Sequence, residues 1–258
     1  MPDGEAAAVA PVGEAEEHIE ILDVQRPSLL DVVMQKAEDL GLVEKIQRVL
    51  IAGKYLKPAD TGEAVKEMLD NAVRQTEDSD EDGGHITGLT IMLPGCFLSI
   101  IEGPQRLVIG TLRMLQEDHN SRYKELLASA HMFSSIQDSP GRSFPMYASR
   151  VLSLAKAEGM TPEKEVIVTL VPEMAINLEK FGHKLRRMDE GGQARELDSL
   201  QRKHAEHLPR VEDVLGLCAS PDIMSLEEFF DLYYSPRRCL GGPLDTEICW
   251  PLPPTLSY

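Results

Sequence analysis

The chain holds 258 residues, with 43 acidic against 26 basic side chains and a formal charge of −17. Such a charge repels nucleic acid and anionic membrane surfaces at long range, so neither is an expected partner, and a basic protein surface or a cation is the natural counterpart. Its length and 42% hydrophobic content allow one sizeable core with extensions, mostly aliphatic because only 5% of residues are aromatic.

Residues 1–25 are acidic and alanine-rich, and are expected to be disordered. They lack the basic and apolar regions of a signal peptide. No run approaches the roughly 20 apolar residues that span a bilayer, so a cytoplasmic protein is expected. Residues 26–43 form an N-terminal helix. Ser28 serves as N-cap, Leu29, Leu30, Val33, Ala37 and Leu40 form a stripe, and Gly41 is the stop. Val49 to Ala52 predict a first strand. A capping-box pattern over 60–63 opens a helix carrying Val65, Met68, Leu69, Ala72 and Val73. The acidic stretch 77–82 reads as a loop. Two apolar runs then meet at Pro94-Gly95, the pattern of a β-hairpin.

A second amphipathic helix runs from 105 to about 116 with Val108, Leu112 and Leu115 on one side. Strands are expected within 126–133 and 146–152. Strand, helix, strand, strand, helix, strand, then one more strand is the order of a ferredoxin-like plait, with two helices on one face of an antiparallel or mixed sheet. Residues 156–238 read as a helical extension. Thr161-Pro162-Glu163 starts a helix, Pro172 starts a fresh one, and 166–171 fits strand or helix. Gly191-Gly192 is a break, a polar helix follows over 194–207, and 210–217 and 225–234 are two short helical stretches. Residues 239–258, with four prolines and Trp250, read as an extended tail.

The side chains give few pointers to catalysis. Four cysteines without a C-x-x-C pair argue against both a disulfide framework and a structural zinc site, and fit reduced thiols. Asp78-Ser-Asp80-Glu-Asp82-Gly83 matches the first half of an EF-hand loop, but Leu89 stands where the closing Glu is needed. His204 and His207 are three apart on a predicted helix, with no nearby Cys or carboxylate to complete a metal site, and a solvated polar face is the expectation. Ser99 and His131 lack the glycine-flanked elbow of a hydrolase. Phe229, Phe230, Tyr233 and Tyr234 follow Ser225-Leu-Glu-Glu at helical spacing, so this helix docks on its own domain or on a partner. Trp250 among prolines favours partner docking. These five aromatics are the candidate partner-binding residues.

Two resemblances follow from particular residues. Ile86-Thr-Gly-Leu89, Phe97-Leu98, Glu102-Gly103, Asp118-His119 and Arg142-Ser-Phe-Pro145, with their spacing, resemble BLUF domains, the flavin-binding blue-light sensors. An α+β domain is expected over 44–155, and the resemblance covers roughly 43–152, under half of the chain. It implies a flavin site needing a strand-one tyrosine, a glutamine after Phe-Leu and an asparagine before Ile-Thr-Gly. Those positions hold Ile51 (or Leu50 under a one-residue shift), Ser99 and the acidic loop 79–82, which leave a flavin's polar edge without partners, so no cofactor is expected. The C-terminal half, above all 225–236 with its Trp-Pro tail, resembles a family of testis-expressed, axoneme-associated proteins of ciliated organisms. That resemblance implies a non-enzymatic adaptor of the motile cilium or flagellum, in the axoneme and within a central-apparatus projection. Its partners would be other axonemal proteins, and the charge of −17 favours those with basic surfaces and disfavours direct tubulin binding. A flavin-binding light sensor and a calcium-modulated adaptor are the alternatives.

Overall fold

A computed structural model describes residues 28–39, 45–57, 61–117, 125–139, 141–154 and 162–234. The chain separates into two units, Met1–Val43 and Glu44–Tyr258. The expected disordered segment 1–25, the tail 239–258 and Trp250 lie outside the described residues. In the first unit, α1 (Leu29–Asp39) is capped as its sequence predicts: the Ser28 backbone N–H donates to Asp31 and the Asp31 N–H donates to the Ser28 hydroxyl.

The second unit is built on β1 (Ile46–Tyr55), α2 (Thr61–Asp78), β2 (Thr87–Leu93), β3 (Cys96–Pro104), α3 (Gln105–Glu117), β4 (Leu127–Ser139) and β5 (Tyr147–Val151). The sheet order is β4-β1-β3-β2-β5. β1 lies antiparallel to both β3 and β4, β2 antiparallel to β3, and β5 parallel to β2. This is the ferredoxin-like strand order with one strand added at the β2 edge, an α+β fold. Its first four strands and two helices are the elements that the hydrophobic pattern predicts.

Every residue of β2 and β3 is buried. That follows from helices on both faces of the sheet. On one face, Val49, Ile51, Met92, Phe97 and Ile101 pack against Val65, Leu69 and Val73 of α2 and Val108 and Leu112 of α3. On the other, Leu50, Leu89, Ile91, Leu98 and Ile100 meet the C-terminal helices. A run such as Leu-Thr-Ile-Met-Leu, apolar without alternation, is the signature of a strand covered on both sides.

The C-terminal helices are α4 (Lys164–Leu185), α5 (Glu190–Asp198), α6 (Leu200–Lys203), a 3-10 turn (Ala205–His207), α7 (Val211–Cys218) and α8 (Leu226–Tyr233). Three sequence expectations are corrected here. Pro172 does not start a new helix but lies inside α4, so 166–171 is helical. The missing hydrogen bond and ring clash cost about 3 kcal/mol. Burial of Ile167, Val171, Met174, Leu178, Phe181 and Leu185 along one face outweighs that cost, at roughly 1.5–3 kcal/mol for each large side chain. Gly191-Gly192 is not a break but the first turn of α5, where the Asp189 side chain accepts from the Gly192 N–H. The single polar helix over 194–207 is instead divided into α5, α6 and the 3-10 turn.

Two glycines answer to close approaches. Gly88 has φ +150°, and a Cβ there would lie 2.1 Å from the Ile100 carbonyl oxygen of the paired strand. Gly182 lets α4 settle on residues 143–144, since a Cβ would stand 2.9 Å from the Ser143 carbonyl oxygen.

β4 and β5 lie at opposite edges, and residues 141–146 lie on the crossing between them. Glu102, fully buried on β3, holds that crossing. Its carboxylate accepts from the Ser143 N–H (3.0 and 2.8 Å), the Phe144 N–H (3.1 Å), Arg48 Nε (2.6 Å) and the Thr87 hydroxyl (3.2 Å). Arg48 also pairs with Glu179 of α4 at 3.1 Å and donates to the Gly141 carbonyl. Arg142 donates to the His85 and Glu102 carbonyls. The Glu102-Gly103 and Arg142-Ser-Phe-Pro145 blocks of the sequence therefore meet in one structural clasp.

Candidate functional site

β4 is an edge strand, and its outer side is only partly covered. Residues 223–225 form a strap along it: His131 bridges Ser225, and the Met132 N–H donates to the Met224 carbonyl at 3.0 Å. Past residue 133, β4 has no outer strand partner among the described residues. An open edge offers unpaired backbone groups to another chain.

The strap leads into α8, which sits beside that edge. Ser225 and Glu228 form a reciprocal capping box. Glu228 is held below its ordinary carboxylate value, first by the Ser225 backbone N–H and then by its hydroxyl. Leu226, Phe229 and Phe230 are buried. They pack against the α2/α3 face of the sheet, and Arg113 of α3 lies over the Phe230 ring at 5.9 Å. Phe229 and Phe230, two of the expected partner-binding aromatics, thus anchor α8 to its own domain. Tyr233 is 60% exposed, and the Tyr234 hydroxyl accepts from Gln105 Nε2 at 3.4 Å.

Between β4 and α8 lies a groove of about 570 Å³, lined by Met132 and Ser134–Ser135 of β4, Gln105, and Phe229, Tyr233 and Tyr234 among others. Gln47 also lines it; its amide nitrogen donates to Ser135 Oγ at 3.0 Å, while its buried Oε1 has no hydrogen-bond partner among the described residues. Ile136, beyond the groove on the same strand, is 43% exposed. Gln47 and the β4 edge were missed in the sequence because the strand signal stops at Phe133, where the polar run Ser-Ser-Ile-Gln-Asp-Ser begins.

Ser225→Ala removes the cap of an eight-residue helix and is expected to cost about 1 kcal/mol. The loss should appear as faster backbone hydrogen exchange over 226–233 and little change elsewhere. Acid should loosen the same region in two stages. His131 has its folded pKa lowered by burial, so the unfolded state binds its proton first and stability falls as pH drops below the ordinary value of 6.5. The Glu228 contribution is complete above its ordinary 4.5 and is lost as pH falls through its depressed folded value. Hydrogen exchange of residues 223–234 as a function of pH checks both.

The positions that the BLUF resemblance assigns to flavin contacts are also placed. Ile51 is paired with Ser99 across β1 and β3, and it is Ile51, not Leu50, that shares the α2/α3 face. The Ser99 hydroxyl bonds Thr90 at 2.6 Å, and Thr90 bonds the Tyr147 hydroxyl at 2.9 Å. Burial pushes the Tyr147 pKa far above its usual value, so the chain of three hydroxyls is neutral. Beyond Tyr147, a cleft of about 540 Å³ runs between α2 and β5, with Asp70, Arg74, Glu77 and His85 on its walls.

Other sequence candidates are dispersed. Ser99 and His131 fall on opposite faces of the sheet, since their β1 partners are the successive residues Ile51 and Ala52. Asp78 ends α2 and so leaves the calcium-loop pattern; Asp80 takes hydrogen bonds from Arg106 at 2.8 and 3.0 Å and from the Gly84 N–H, and Asp82 lies 3.4 Å from Arg106. His204 is 3% exposed, which corrects the solvated face expected for it. Cys96 and Cys218 are buried free thiols, with the Cys218 pKa pushed up to about 12 by burial. No helix among the described residues is long and apolar enough to cross a membrane.

The fold and edge define a class: a ferredoxin-like α+β domain clad with helices on both faces, with a groove along one sheet edge. The family model of testis-expressed protein 47 matches residues 45–235, and the chain belongs to that family. No curated protein matches the chain. Among solved structures it is similar to a bacterial light-regulated adenylyl cyclase, 17% identical over 51% of this chain and 35% of that one, TM-score 0.34. It is also similar to the BlrP1 BLUF structure, 17% identical over 64% of this chain and 96% of that one, TM-score 0.31. A third is photo-activated BlsA, 13% identical over 62% of this chain and 96% of that one, TM-score 0.33. The chain spans about a third of the cyclase's length.

Proposed function

We propose that the protein is a non-enzymatic adaptor of the sperm flagellum or motile cilium, held in the axoneme by contacts with other proteins and belonging to a central-apparatus projection. The groove beside the open half of β4 carries this reading. It offers backbone groups to an extended segment, an exposed aromatic in Tyr233 and a buried acceptor in Gln47 Oε1 that lacks a partner among the described residues. Membership of a testis-expressed family supports the setting. The charge of −17 favours partners with basic surfaces over the acidic surface of tubulin.

Detergent-extracted flagella test the idea. The protein should remain with the axonemal pellet at physiological salt, and Tyr233→Ala with Ile136→Asp should release at least tenfold more of it while leaving Tm unchanged. A protein wholly in the detergent-soluble fraction would sink the proposal. A flavin-binding sensor is the second reading, favoured only by the resemblance of the α+β domain. Visible absorbance after gel filtration with excess flavin decides it: a retained flavin spectrum that shifts under blue light would replace the adaptor reading.

A further inference from the structure

Three polar groups from the short connection between α6 and α7 converge on one point, and the fold supports them from outside. His204 Nδ1 lies 3.9 Å from Glu206 Oε1, and His207 Nε2 lies 3.6 Å from the same oxygen. All three ligand-type atoms fall within 4.8 Å of one another. The two measured separations are too long for hydrogen bonds. They are close to the edges of a tetrahedral zinc site, which bonds of 2.0–2.1 Å place at about 3.4 Å. At these separations the three side chains do not hydrogen-bond one another.

The second observation concerns the far side of His204. Its other ring nitrogen, Nε2, is hydrogen-bonded to the Glu196 carboxylate of α5. That contact puts the proton on Nε2 and leaves the Nδ1 lone pair facing Glu206. A carboxylate behind a ligating imidazole is the usual support of a metal-bound histidine, because it fixes both tautomer and ring plane. Phe181 completes the frame, its ring centroid 5.1 Å from that of His204 and 6.1 Å from that of His207. The two imidazoles are stacked at 6.1 Å with an interplanar angle of 29°.

We propose that His204, Glu206 and His207 bind a zinc-class divalent ion, with Glu196 as the positioning carboxylate and water as the fourth ligand. Two imidazoles and one carboxylate are a donor set that suits zinc. The site is independent of the β4 groove and of the adaptor reading. Nearby cations oppose it: Lys184 Nζ stands 3.5 and 3.4 Å from the two ring nitrogens of His204 and 3.7 Å from Glu196, Lys203 pairs with Glu196 at 3.3 Å, and Lys180 adds positive charge near His207. Lys184 is 44% exposed and has room to swing away. This opposition gives the proposal a directional test.

The experiment is titration of the full-length, reduced protein with zinc by calorimetry and with cobalt by visible absorbance. One equivalent is expected, with the weak visible bands of tetrahedral nitrogen and oxygen ligation. Glu206→Gln, at an exposed position, and His207→Ala, at a partly buried one, should each weaken binding at least tenfold, and Glu196→Gln by roughly 10–100-fold. Lys184→Met should tighten it, because one competing cation is gone. A cobalt–thiolate band would place the ion on cysteines and overturn the proposal. So would the absence of stoichiometric binding, or His207→Ala binding as tightly as the natural chain.

Discussion

Glu102→Ala should destabilise the protein by about 3–5 kcal/mol, because it strips one partner from a buried ion pair. The variant leaves Arg48, only 11% exposed in its side chain, with Glu179 as its remaining carboxylate. It also orphans the Ser143 and Phe144 N–H groups, which no other described group accepts. At 2–4 °C per kcal/mol for a chain of this size, Tm should fall by roughly 6–20 °C. The double change Arg48→Met with Glu102→Leu should recover only part of the loss. Apolar replacement removes the unpaired charge, but the two backbone N–H groups and Glu179 still lack their partner. Urea unfolding of both variants measures the difference. If Glu102→Ala unfolds at the natural midpoint, the crossing of residues 141–146 is held by something other than this clasp.

Phe181→Ala should cost a similar amount, about 3–5 kcal/mol, for a different reason. Phe181 is fully buried on α4, where it packs into the core on the face of the sheet covered by the C-terminal helices and against the imidazoles of His204 and His207. Removing the ring leaves a cavity between α4 and those imidazoles, which close packing elsewhere keeps from collapsing. The loss should come with a local sign: faster hydrogen exchange over 200–208 than over β2 and β3. A uniform loss of protection across the sheet would mean that α4 and the sheet unfold as one unit, and would contradict a localised cavity.

Much of the sheet domain was legible from periodicity. The hairpin at Pro94-Gly95 pairs Leu93 with Cys96, α2 and α3 lie where Val65 to Val73 and Val108 to Leu115 put them, and the added fifth strand was expected. The C-terminal half was less legible. Pro172 and Gly191-Gly192 are strong local punctuation, yet each sits inside a helix, because burial of one helical face and a side-chain cap from Asp189 exceed a local penalty. The candidate site was half legible. The aromatics at 229–234 were noticed, but only packing separates the buried Phe229 and Phe230 from the exposed Tyr233.

By itself the sequence determined the order of strands and helices within 46–151, though not the reach of β4 past Phe133, and the acidic charge. Those properties are local or compositional, carried by spacing and residue type. Only the tertiary structure decided that the second face of the sheet is covered, that Glu102 meets Ser143 and Phe144, that β4 past residue 133 has no outer strand among the described residues, and that Glu196 and Glu206 close around His204. Each of these depends on groups brought together across the fold or on the shape of a turn. Contacts of that kind follow from how the buried faces stack, which residue spacing along one segment does not encode.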